Sequence, residues 1–332
     1  MKKTLLFFMG CTMFAIGCKK TALNEDNNLA TDGNLTAGTE APITARQCAS
    51  HDVLMEQLKA DPTLADRMNA IEDFTARVAQ NPSAYRLVNG VIEIPVIVNV
   101  LYKTSAQNIS ATQIASQIDV LNKDFSATNS DYSLTPSIFQ SVRSGDVNVR
   151  FVLDQVIRKS TSKSSWGTND AMKKASGGGI AATSPTTKLN LWVCNLSGGI
   201  LGYAQFPGGS AATDGVVIDD NAFGSTGTVS APYNKGRTAT HEVGHWLNLR
   251  HIWGDATCGS DLVGDTPSHN TANYGCPTYP HKSTCTGTPV EMTMNYMDYT
   301  DDACMYMFSA GQKTRMQALF AAGGARNSFA QP

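Results

Sequence analysis

Three of the six histidines in this 332-residue chain fall within eleven residues, HEVGHWLNLRH at 241–251, with a glutamate beside the first. Histidine is a poor core residue and a poor helix former, so packing is a weak reason for the cluster. On a helix, residues four apart share a face, and His241 and His245 would then turn two imidazole nitrogens toward one ion while Glu242 reaches the same space from the side. His251 lies too far along a continuous helix to join them. The chain must turn back after about Leu247, through a residue that tolerates positive φ; Asn248 stands there, and asparagine is second to glycine in that role. Three neutral imidazoles suit a tetrahedral zinc with one position left open, which is the catalytic arrangement. Glu242 would carry the proton, as base toward water and then as acid toward the leaving amine.

The elements that must position these residues are readable upstream. VIEIPVIVNVLY at 91–102 is β-branched and follows Asn-Gly, which predicts a buried strand. Ser110 is placed to cap a helix carrying Ile114, Ile118 and Leu121, and further strands are expected at 147–156, 189–196, 201–206 and 215–220, a mixed α/β half. Residues 53–79 have helical apolar spacing broken at Asp61-Pro62, which predicts short helices. After His251 regular signals fade for about 55 residues, where four of the eight cysteines appear (Cys258, Cys276, Cys285, Cys304). Such a segment needs disulfides or bound ions as staples. Ser309 and Gln312 form a capping-box pattern for a last helix.

A hydrophobic content of 42% with 16% charged residues allows a packed core, and a net charge of -2 without a basic cluster excludes nucleic-acid binding. The N-terminus, MKKTLLFFMGCTMFAIGCKK, has a basic flank and an apolar run at 5–16 that is too short to cross a bilayer, so it reads as a secretory signal. Ala15-Ile16-Gly17 before Cys18 resembles a bacterial lipoprotein processing site. Cys18 is then the lipidated residue, and membrane contact is expected through that anchor alone, at the outer membrane or cell surface unless processing releases the chain. Export makes disulfides permissible. Residues 19–46, poor in large apolar side chains, are expected to be a disordered tether. The oligomeric state is left open.

HEVGHWLNLRH resembles the extended zinc signature of the metzincin peptidases. The similarity to their pappalysin family continues through LGYAQFP at 201–207, DTP at 265–267 and NYMDYTDDACMYMFSAGQKTRM at 295–316, covering most of the chain from about residue 91. One departure is Asn248, where the family usually has glycine. The resemblance implies an α+β fold: a twisted mixed sheet with backing and active-site helices above the cleft, and an irregular, disulfide-stapled lower half ending in a helix. It implies Met297 as the Met-turn beneath the zinc, Tyr299 as a hydroxyl for the oxyanion, and disulfides Cys258–Cys285 and Cys276–Cys304. It also implies strand 201–206 as the edge on which an extended polypeptide substrate lies, a basic side-chain preference served by Asp301 or Asp302, and calcium at Asp261, the Gly264 carbonyl and Thr266. Cys48, in RQCAS, matches a cysteine that occupies the zinc of latent precursors; on residue type alone it could equally pair with Cys194 or be idle, as Met297 and Tyr299 could be plain core.

The expected division is a signal at 1–18, a tether at 19–46, a helical propeptide with a cysteine switch at 47–88 and a catalytic domain at 89–332. The function read from this is a secreted or lipid-anchored zinc endopeptidase made as a latent zymogen. A surface-binding lipoprotein that keeps the fold and zinc without turnover is the alternative, and a zinc hydrolase of small amides, which would lack the extended substrate strand, is a third.

Overall fold

The uninterrupted β-branched run at the start of the sheet forms β1 (Ile92–Tyr102), buried along nearly its whole length, as such runs are in parallel sheets. The computed structural model describes residues 45–81 and 90–330, so the signal and Cys18 lie outside the described residues. β1 pairs with β2 (Val149–Ser160) on one side and β3 (Leu189–Cys194) on the other. β5 (Val216–Asp219) follows β3, and β4 (Gly202–Ala204) closes the order β2-β1-β3-β5-β4. All neighbours are parallel except β4, which runs antiparallel to β5 at the edge. β2 starts and ends later than the expected 147–156 because it follows β1 in register to the Tyr102–Ser160 pair.

Both faces of the sheet are covered. On one, Val96, Val98 and Val100 of β1 meet Leu121 and Phe125 of α3 (Ala111–Ser126) and Val243 and Trp246 of α4 (Arg237–Trp246). On the other, Leu101, Trp192 and Tyr203 pack with Trp166 and Met172 of the connection to β3. Each large apolar side chain buried this way stabilises the fold by about 1.5–3 kcal/mol. Ser110 caps α3 by accepting the Gln113 N–H, and the Ser309–Gln312 capping box opens α5 (Ala310–Ala318). Every residue of α4 is buried.

The helices expected around Asp61-Pro62 are α1 (Ser50–Ala60) and α2 (Leu64–Gln80). They belong to the same compact unit as the sheet. The tether expected over 19–46 needs correcting at its end: Arg46 is 1% exposed, and a buried guanidinium is kept there by its ion pair with Asp302 at 2.6 Å. Between α4 and α5 no α-helix or strand forms among the described residues. Disulfides Cys258–Cys285 and Cys276–Cys304, the pairs the resemblance implies, fasten that segment, and Cys48 and Cys194 are free thiols. No described helix is long and apolar enough to cross a membrane.

Candidate active site

α4 carries His241 and His245 one turn apart and stops at Trp246. Asn248 then takes φ 67°, the left-handed turn the sequence demanded, and the Leu249 N–H closes back on the Gly244 carbonyl. This returns His251 to the helix face. His245 Nε2 lies 3.1 Å from the Nε2 atoms of both His241 and His251. Ligand nitrogens about 2.0–2.1 Å from a tetrahedral zinc stand about 3.3 Å apart, so the spacing fits that ion. Each ring's Nδ1 is engaged elsewhere: His241 with the Tyr296 carbonyl at 2.7 Å, His245 with the Leu249 carbonyl at 2.8 Å, and His251 with the Asp255 carboxylate. Donation from Nδ1 leaves the Nε2 lone pairs converging. Burial, reinforced by the neighbouring rings, holds His241 well below its ordinary value and His245 down at about 3. Facing neutral nitrogens have no proton to share, and a cation between them satisfies all of them.

Glu242 extends from the same turn. Its Oε2 accepts from Ser50 Oγ at 2.8 Å and lies 3.4 Å from Cys48 Sγ; burial pushes the carboxyl up to about 7 against those hydrogen bonds. Cys48 Sγ and the three imidazoles have ligand atoms within 4.8 Å of one another, the one such group among the described residues. Burial, then the Glu242 charge, pushes the Cys48 thiol up. The Tyr299 hydroxyl donates to the Cys48 carbonyl at 3.1 Å, and its ring meets His251 and Trp253 edge-on. Met297 lies against α4 where Gly244 makes room: a Cβ there would come within 2.5 Å of its Sδ. On β4, a Cβ at Gly202 would stand 2.9 Å from Glu242 Cγ, so the edge strand and the carboxylate pack directly.

The segment around Cys48 lies on the outer edge of β4. Leu201 donates to the Gln47 carbonyl at 2.9 Å, Ala49 donates to the Gly202 carbonyl at 3.0 Å, and the Ala204 N–H donates to Ser50 Oγ at 2.8 Å. The pairing is parallel. Of the two aspartates proposed for a basic pocket, Asp302 is the buried one. It holds Arg46, whose guanidinium also donates to Thr238 Oγ1 and the Thr300 carbonyl and stacks 5.0 Å over the Tyr233 ring. Sequence reasoning missed Arg46, Ser50, Gly202 and Asp255. Asp255 stands four residues after His251, a spacing that could have flagged it; Ser50 and Arg46 carry no local signal.

Asp261 and Thr266 do come together. The Thr266 hydroxyl lies 3.0 and 2.9 Å from the two Asp261 oxygens and 3.0 Å from the Val263 carbonyl, with Gly264 in the loop between.

The Peptidase_M43 family model, pregnancy-associated plasma protein-A, matches residues 185–321. An extracellular metalloprotease of Verticillium alfalfae is 34% identical over 241 residues, covering 68% of this chain and 78% of that protein. The chain belongs to the pappalysin family. Among solved structures, mature mirolysin of Tannerella forsythia with a cleaved peptide is 46% identical, with a TM-score of 0.70, covering 72% of this chain and 95% of that one. A mutant of promirolysin from the same organism is 43% identical, with a TM-score of 0.77, covering 86% and 97%. This pappalysin is therefore a zinc metalloprotease with the metzincin fold.

The turn can be tested directly. Asn248→Gly should keep zinc affinity, whereas Asn248→Val, forced into positive φ at a cost of about 1–2 kcal/mol, should misplace His251 and weaken zinc binding about tenfold in a chelator competition. Equal affinities in the two variants would remove the turn argument.

Proposed function

We propose that this pappalysin is an exported endopeptidase whose zinc is held by His241, His245 and His251, and that it is made latent by the segment around Cys48. The observation that carries the reading is the convergence of three Nε2 atoms beside the Glu242 carboxylate. When bound, zinc supplies a Lewis acid for the substrate carbonyl and lowers the pKa of water to about 7. Glu242 takes the water's proton at Oε2 and passes it to the leaving nitrogen. The Tyr299 hydroxyl donates to the developing oxyanion. Met297 supports the helix from below. The β4 edge used by Gln47 and Ala49 offers the same backbone groups to an extended substrate, which favours polypeptides over small amides.

Latency is supported by three contacts made at once: Cys48 within ligand reach of the histidines, Ser50 on Glu242, and Arg46 in the Asp302 pocket. The larger share of the chain matched by promirolysin than by mature mirolysin agrees with a precursor segment ahead of the catalytic part. Export, with Cys18 as the lipid attachment point, rests on the N-terminal sequence and on relatives named as extracellular. Calcium at Asp261, Gly264 and Thr266 is a separate proposal: burial pushes the Asp261 carboxyl up to about 6, and a divalent cation would offset that burial.

The pocket that holds Arg46 supports a preference for a basic side chain beside the scissile bond. Digestion of a peptide library by the activated enzyme, read by mass spectrometry, should give cuts flanked by Arg or Lys that a zinc chelator abolishes. Cleavage that persists without metal would defeat the zinc reading. Cuts without basic enrichment, or an enrichment unchanged in Asp302→Asn, would defeat the pocket assignment alone.

A further inference from the structure

The zinc cluster leaves His269 unused, and this histidine belongs to a buried network around the residue that precedes Tyr299. Asp298 is fully buried between Met297 and Tyr299. Its Oδ1 accepts from the backbone N–H groups of Tyr299 and Asn273, each at 2.8 Å, and its Oδ2 accepts from Asn273 Nδ2 at 2.9 Å. The same Nδ2 donates to Glu291 Oε2 at 2.8 Å, and Glu291 Oε1 accepts the Asn270 N–H at 2.8 Å. His269 Nε2 accepts the Met292 N–H at 3.0 Å, which places the ring proton on Nδ1, 3.5 Å from Asp298 Oδ2.

Two buried carboxylates are costly to keep, and here both accept from the Asn273 amide while Asp298 also holds the Tyr299 N–H. The ring is framed from the same stretch, since Tyr274, next to Asn273, lies 5.9 Å from it edge-on. That stretch is stapled by Cys258–Cys285, with the Cys258 N–H donating to the His269 carbonyl at 3.1 Å. A hydroxyl at the tip of a tyrosine magnifies any rotation of its own backbone, and an oxyanion donor acts only when it is already aimed.

We propose that Asn273 and Asp298 are positioning residues for the reaction: they lock the Tyr299 backbone so that its hydroxyl meets the oxyanion without reorganising. This rests on the assignment of Tyr299 given above.

The test uses the full chain, zinc-loaded and activated by cleavage, as wild type, Asn273→Ala, Tyr299→Phe and the double variant. The readouts are kcat, KM, zinc content and the calorimetric affinity for a phosphinic peptide that mimics the tetrahedral state. Asn273→Ala should lower kcat by about tenfold or more, weaken the phosphinic peptide by a similar factor and leave KM and zinc content unchanged. In the Tyr299→Phe background it should cost nothing further. The same loss in both backgrounds, or a raised KM with unchanged kcat, overturns the proposal. If Tyr299→Phe itself leaves kcat and phosphinic-peptide affinity unchanged, the assignment of Tyr299 fails and this inference falls with it. If Tyr299→Phe loses both and Asn273→Ala loses neither, the positioning role alone fails. Asp298→Asn, which keeps an acceptor for the Tyr299 N–H but meets the Asn273 amide with a second amide, serves if Asn273→Ala does not fold; the same losses are expected from it, and their absence counts against the proposal.

Discussion

Glu242→Ala should keep its zinc and lose proteolysis by a factor of about 10²–10⁴, the usual worth of a positioned acid–base group. The carboxylate stands beside the imidazoles, and the metal loses no ligand when it is truncated. His245→Ala should instead lose metal and activity together, because its Nε2 is the nitrogen within 3.1 Å of both other rings. Metal analysis and turnover of a denatured protein substrate separate the two outcomes. Glu242→Gln is a useful companion, since it keeps an acceptor for Ser50 but has no proton to carry. A Glu242→Ala protein that comes out without zinc would contradict this division of roles.

Replacing Cys48 should switch on the uncleaved chain. A thiolate held close by its own backbone competes with water at high effective concentration, so its loss should raise activity by about tenfold or more even with α1 and α2 in place. Release should still be partial, because Ser50 remains on Glu242 and Arg46 remains paired with Asp302. Arg46→Ala removes the ion pair that fastens the segment to Asp302, so Cys48→Ala with Arg46→Ala should exceed either single variant. The comparison needs chains blocked against self-processing. If Cys48→Ala is no more active than wild type, and cobalt substitution shows no sulfur ligand in the precursor, the hold lies in Arg46, Ser50 and the helices, and Cys48 is not the switch.

The histidine cluster was legible because helical period and a turn residue are local properties: four residues separate His241 from His245, and Asn248 alone announces the reversal. The capping residues of α3 and α5 and the β-branched strands were legible for the same reason. Arg46 was not, since its partners lie more than 190 residues away in sequence and its own neighbourhood reads as a polar tether. Ser50 closes on Glu242 across 192 residues, with nothing nearby to mark it. α4 keeps an apolar stripe of Ala239, Val243 and Trp246 toward the core, but its polar face is buried as well, which no local pattern announces. The segment after His251 has no period to read at all; its order comes from single side chains such as Asp298 and Glu291 accepting from backbone N–H groups, and from two disulfides.

The burial of α4 along its whole length bears on how the metal is acquired. If the segment around Cys48 is the proposed latency device, an ion should come and go only when that segment lifts from the enclosed helix, a local opening whose frequency would set the exchange rate. Exchange in the uncleaved chain should then be slow compared with that in the processed enzyme. The ion each molecule carries would then reflect the supply where the chain folded, before cleavage gives the site free access to its surroundings.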